Sequence, residues 1–159
     1  MDSEPGDGAT FSVYLPAATG KLAEKWPEDD KQAAPGGSGT VMIVEDEAAV
    51  LRVASEVLQR QGYNVLEASN GHEAVWLAQE RASERIDLLV TDVVMPLMGG
   101  AQLASRMSDL HPEANVLFTS GYPGDQLLNE GLPYHNVRFL PKPYTQDSLT
   151  SEVRLALES

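Results

Sequence analysis

Val41-Met42-Ile43-Val44 is an unbroken apolar run that ends in Glu45-Asp46-Glu47. A strand with no polar alternation must be covered on both faces, as in a parallel sheet flanked by helices. The acids that follow require the covered strand to finish at solvent. Residues 86–91 repeat the arrangement and run into Asp92-Val93-Val94-Met95-Pro96. Residues 137–140 repeat it again and run into Pro141-Lys142-Pro143. Three covered strands thus end in charge.

Between these runs the apolar spacing becomes helical. Val50, Ala54, Val57, Leu58 and Gln61 share one helical face, and Gly62 stops it. Residues 63–67 read as a second strand. Asn70-Gly71 turns the chain into a helix carrying Ala74, Leu77 and Ala78 inward, with Trp76 toward solvent. Gly99-Gly100 precedes a helix with Leu103, Met107 and Leu110, and residues 115–119 form the fourth strand. Two glycines and a proline at 121–124 open a short or irregular fourth helix over 125–131. Thr145 is an N-cap for a last helix that buries Leu149, Val153, Ala156 and Leu157. Strands alternating with helices give a (βα)5 parallel sheet with right-handed crossovers.

The chain divides near residue 40. Residues 17–40 are rich in Ala, Pro and Gly, end in Pro35-Gly36-Gly37-Ser38-Gly39, and read as a flexible linker, with a helical turn or two over 21–26. Before the linker, Phe11, Val13 and Leu15 alternate with Ser12 and Tyr14, so residues 8–16 read as a strand. It has no visible partner in the sequence, and a strand alone is unstable. It is expected to be frayed, or borrowed from a missing domain.

Composition narrows the function. The formal net charge of −13 argues against duplex DNA or an anionic membrane as direct partners. The chain has no cysteine, which removes disulfides and thiolate metal sites and suits the cytoplasm. Its apolar runs are strand-sized, far below the ~20 residues of a membrane helix. The acidic N-terminus does not resemble a signal peptide.

In a parallel sheet all strand ends share one rim, where open α/β folds bind ligands. Glu45, Asp46, Asp92, Ser120 and Lys142 all fall there. Two or three carboxylates so placed repel one another, and a hard divalent cation such as Mg²⁺ offsets this. The backbone carbonyl of Val94 is a further candidate ligand. With metal bound, Asp92 can act as a nucleophile toward phosphorus. Lys142 would neutralise the phosphoryl oxygens, and Ser120 would hydrogen-bond one of them.

The segments VEDE at 44–47, TDVVMP at 91–96 with Gly99-Gly100 behind, TSGYP at 119–123 and FLPKPY at 139–144 resemble the receiver domains of two-component response regulators. The resemblance covers residues 41–159 and implies a flavodoxin-like doubly wound sheet of strand order 2-1-3-4-5. It implies Asp92 as phosphoacceptor, Glu45 and Asp46 as Mg²⁺ acids, and Ser120 as the switch hydroxyl. Lys142 becomes the phosphoryl-binding lysine, Lys142-Pro143 a cis peptide, and Phe139 the aromatic that moves on activation. Glu45 stands where an Asp is commoner, and Ser120 where Thr is frequent; both keep an oxygen. Residues 8–16 resemble the last strand of a histidine-kinase ATP-binding domain. Residues 1–16 are then a remnant of that domain, and the chain is the C-terminal piece of a hybrid histidine kinase. The implied partners are a kinase core and a histidine phosphotransfer protein. No DNA-binding output domain is expected after residue 159.

Two other functions compete. A Mg²⁺-dependent aspartyl phosphohydrolase usually carries a second Asp two residues after the nucleophile; here that residue is Val94. An inert receiver-like interaction module would not need the full set of acids, serine and lysine. The apolar Val94 also offers no group to position water, so a long-lived aspartyl phosphate is expected, with Tyr122 shielding the same site. His72, His111 and His135 are scattered, and His72-Glu73 lacks the second histidine of a zinc-peptidase helix, since Trp76 stands there.

Overall fold

The computed structural model describes residues 2–4, 8–10, 37–121 and 137–158. The expected helical turn at 21–26, the weak helix at 125–131 and Tyr122 lie outside the described residues, as do 11–16 of the first expected strand. That strand does have a partner. β1 (Asp2–Glu4) pairs antiparallel with β2 (Gly8–Thr10), Asp2 opposite Thr10 and Glu4 opposite Gly8. Asp-Ser-Glu has no apolar side chain to announce a strand, so its pairing was invisible to periodicity.

Residues 33–159 form a separate unit. Its elements are β3 (Thr40–Val44), α1 (Ala48–Arg60), β4 (Asn64–Ala68), α2 (Gly71–Glu80), β5 (Leu88–Asp92) and α3 (Gly100–Leu110). β6 (Asn115–Ser120), β7 (Val137–Pro141) and α4 (Gln146–Leu157) follow. The five strands are all parallel, in the order β4-β3-β5-β6-β7, which is 2-1-3-4-5 counted within the unit.

Successive side chains along a strand point to opposite faces. Met42 and Val44, Leu89, Val116 and Phe118 face a core closed by Ala74, Ala78, Leu103 and Met107 of α2 and α3. Val41 and Ile43, Leu88 and Val90, and Leu117 face the other core, closed by α1 and α4 through Leu51, Ala54, Leu58, Leu149 and Val153. Both faces are covered, as the uniform apolar runs require. Leu51, rather than Val50, leads the buried face of α1; Val50 is half-buried.

Helix ends follow local chemistry. Gly62 takes φ +94° directly after α1, a conformation costly for residues with a Cβ. Asn70 caps α2 by accepting from the Glu73 N–H at 3.0 Å. Thr145 caps α4 in a reciprocal box with Ser148. Ahead of β3, Gly37 donates to the Gln61 carbonyl at 3.1 Å, and any Cβ there would collide with the Tyr63 ring. Gly37 is therefore packed against the turn between α1 and β4.

Candidate functional site

The register brings the charged strand ends together. Val44 lies opposite Thr91, Asp92 opposite Thr119, and Ser120 opposite Pro141. The next peptide continues the ladder, because the Lys142 N–H donates to the Ser120 carbonyl at 2.7 Å. Glu45, Asp92, Ser120 and Lys142 thus emerge on the carboxyl rim, around the point where strand order reverses between β3 and β5.

Lys142 is the centre of the arrangement. Its Nζ donates to Asp92 Oδ2 and to Glu45 Oε2, each at 2.6 Å. The Glu45 side chain is 5% exposed, Asp92 14% and Lys142 23%. The other Asp92 oxygen, Oδ1, accepts from the Val94 N–H at 3.1 Å. Burial works against the Lys142 charge, but the hydrogen bonds and charges of Asp92 and Glu45 outweigh it and hold the ammonium above lysine's ordinary range. Burial first, and then the neighbouring Asp92 charge, push the Glu45 carboxyl up, and together they outweigh the pull of Lys142.

Glu45, Asp46 and Asp92 each present a carboxylate oxygen, and the three oxygens lie within 4.8 Å of one another. Asp46 is exposed, so a cation could approach from its side. Three carboxylates against one ammonium leave negative charge uncompensated. The donors are all hard oxygens. Both properties suit a divalent cation of the Mg²⁺ type.

The remaining expected residues are also on this rim or just behind it. Ser120 is buried at the end of β6. Phe139 is half-buried and stacks on Phe118 with centroids 5.5 Å apart and planes 24° apart. The Lys142–Pro143 peptide is cis. Val94 is 67% exposed and committed to Asp92 through its amide.

Sequence reasoning did not find two features. Glu45 binds Lys142 directly, in addition to its expected place as a metal acid; its extra methylene relative to Asp was the only signal. Gly100 is obligatory behind the loop, since a Cβ there would run into the Asp92 carbonyl oxygen and lie 3.1 Å from the carbonyl carbon. The paired glycines after TDVVMP carried that information.

The family model for the response regulator receiver domain matches residues 41–154. Sensor kinase CckA from Brucella abortus is 37% identical over 164 aligned residues, covering 99% of this chain and 17% of that protein. The chain therefore spans under a fifth of that relative's length. Response regulator receiver protein CpdR from Brucella abortus is 30% identical over 117 residues, 74% of this chain and 95% of CpdR. The crystal structure of the receiver domain of the hybrid histidine kinase CckA matches with a TM-score of 0.65 and 39% identity, over 75% of this chain and 99% of that one. The chain belongs to the response-regulator receiver family of two-component signalling.

Proposed function

We propose that this receiver accepts a phosphoryl group from a kinase phosphohistidine onto Asp92, with Mg²⁺ held by Glu45, Asp46, Asp92 and the Val94 carbonyl. The observation that carries the reading is the Lys142 ammonium, 2.6 Å from Asp92 Oδ2, inside a cluster of three acids. A carboxylate oxygen of Asp92 bonds to phosphorus while the phosphorus–nitrogen bond of the donor breaks, and the electron pair returns to the donor imidazole. Bound Mg²⁺ supplies charge neutralisation for the phosphoryl oxygens. Lys142 is already in place to accompany the phosphoryl group, and the Val94 amide orients the carboxylate that attacks. Forming the acyl phosphate removes the carboxylate charge that anchors Lys142 to Asp92 and places the charge on the phosphoryl oxygens instead. The lysine and the Ser120 hydroxyl then bind phosphoryl oxygens, and Phe139 follows Ser120 inward from its stack on Phe118. This is a population shift between two packings of the β7–α4 face.

The chain itself would be no enzyme beyond its own phosphorylation and dephosphorylation. The likeness to CckA extends upstream of residue 41, which supports a hybrid histidine kinase as the parent. On that reading residues 1–16 are the end of its ATP-binding domain and 17–40 the linker. The partners are a histidine kinase core and a histidine phosphotransfer protein, and the setting is the cytoplasm. No helix of the described residues is long and apolar enough to cross a membrane.

Beryllofluoride binding in the presence of Mg²⁺ tests the assignment. The wild type is expected to bind it and Asp92→Asn to lose binding, while both fold equally. Equal uptake by the variant would reject Asp92 as acceptor.

A further inference from the structure

The loop after the acceptor is anchored by two buried methionines, and one of them has room only because its neighbour is glycine. Val93 and Gly100 close the loop, the Gly100 N–H donating to the Val93 carbonyl at 3.0 Å. Gly100 also lies against the Asp92 carbonyl, so that end has no room to move. Within the loop, Leu97 turns the chain at φ +69°, and the Met98 N–H donates to the Pro96 carbonyl at 2.8 Å. Met95 and Met98, 7% and 2% exposed, are buried in the core that α2 and α3 close. Val94 of the same loop holds Asp92 Oδ1 with its amide.

Met98 is seated on Gly71, the buried first residue of α2. A Cβ on Gly71 would lie 2.8 Å from Met98 Sδ and 2.9 Å from both Met98 Cγ and Met98 Cβ. Rotating the methionine would clear the sulfur and Cγ, but its Cβ moves only with the backbone. The start of α2 is held too firmly to yield instead. Asn70 caps it through the Glu73 N–H, the Asn70 carbonyl accepts from the Ala74 N–H at 3.1 Å, and Glu73 reaches back to the Ser69 hydroxyl and amide. Packed interiors transmit such strain, so a side chain at position 71 displaces the loop, and residues 93–97 are the part that takes up the movement. We infer that Gly71 is a positioning residue for phosphoryl acceptance: its missing side chain seats Met98 and so sets where residues 93–97 stand relative to the Asp92 carboxylate. The inference rests on Asp92 being the phosphoacceptor and on Val94 joining the metal site. Gly71 acts through Met98, from the turn between β4 and α2.

Gly71→Ala, Met98→Ala and the double variant make a double-mutant cycle. Mg²⁺ affinity is measured by calorimetric titration of the folded proteins, well below their melting temperatures, with labelling by acetyl phosphate alongside. Gly71→Ala should weaken Mg²⁺ binding about tenfold, slow labelling and move the Val94 amide resonance in NMR spectra. It should do so although alanine is a better helix former than glycine. In the Met98→Ala background, where Sδ and Cγ are gone, the same substitution should weaken Mg²⁺ binding by about threefold or less. Wild-type Mg²⁺ affinity and labelling in a folded Gly71→Ala variant overturn the inference. So does an equal loss in both backgrounds, which would take Met98 out of the route. If Gly71→Ala does not fold, Met98→Ala decides alone: a shifted Val94 amide with weaker Mg²⁺ binding supports the seat, and wild-type values for both overturn it. A wild type that neither binds Mg²⁺ nor is labelled is a different result: it rejects the reading of Asp92 itself, and this inference with it.

Discussion

Replacing Lys142 with methionine keeps the side-chain length and removes the ammonium. Glu45 and Asp92, 5% and 14% exposed, then share a pocket without the cation that lay 2.6 Å from each. Breaking a fully buried ion pair in this way costs about 3–5 kcal/mol. Two features reduce that figure. Lys142 is 23% exposed, so water already screens it, and Glu45, pushed up by burial, takes a proton more readily than an ordinary glutamate. The expected loss at neutral pH without metal is about 2 kcal/mol, or roughly 6–10 °C in Tm for a domain of this size. Mg²⁺ should restore the variant more than it stabilises the wild type, because the site has lost a competing positive charge. Thermal melts followed by circular dichroism, in chelator and in Mg²⁺, measure both effects. Asp92→Asn is the control: it removes one of the repelling acids, leaves Lys142 with Glu45, and should melt at or above the wild type. A methionine variant as stable as the wild type in chelator, or with an equal Mg²⁺ shift, would refute the shared-pocket electrostatics.

Other consequences follow from single residues. Ser55 Oγ is buried in α1 with no hydrogen-bond partner among the described residues, so Ser55→Ala should stabilise the domain by about 1 kcal/mol in urea unfolding; no gain would mean the hydroxyl is satisfied. Glu73 accepts from the Ser69 hydroxyl and amide at 2.6 and 2.8 Å, and these bonds, the hydroxyl's first, lower its pKa. A lowered acid contributes stability that is present above the ordinary value of 4.5 and is lost as pH falls through the folded value. Glu73→Ala should therefore melt lower at neutral pH, with the gap closing under acid; a gap that persists at low pH would contradict this. Val94→Asn should shorten the lifetime of the aspartyl phosphate, followed by phosphate release, because Val94 offers no group to hold water. Slower release in the variant would remove that role from Val94.

The chemistry was legible because it sits at strand ends, and strand ends are marked by abrupt changes from apolar to charged residues. Asp92 and Lys142 are 50 residues apart, yet once both strands are parallel their tips must share a rim. Gly62 and Thr145 were legible because backbone conformation and capping select residue types locally. Asp2–Glu4 was not, since it pairs through backbone groups and carries no apolar side chain. Leu51 in place of Val50 reflects the angular ambiguity of a helix's first turn, where adjacent apolar residues compete for the core. The positive φ of Leu97 had no signal at all, because leucine is among the last residues that such a turn would select. The hydrogen bond from Lys142 to Glu45 spans 97 residues and depends on β3 lying beside β5, a neighbour relation that no local pattern encodes.

Intact-mass spectrometry of the 159-residue chain, after incubation with acetyl phosphate and Mg²⁺, addresses phosphoryl acceptance most directly. The account predicts a gain of one phosphoryl group, mapped to Asp92, absent without the metal and lost on treatment with hydroxylamine. An unmodified mass, or a label stable to hydroxylamine on another residue, would contradict it.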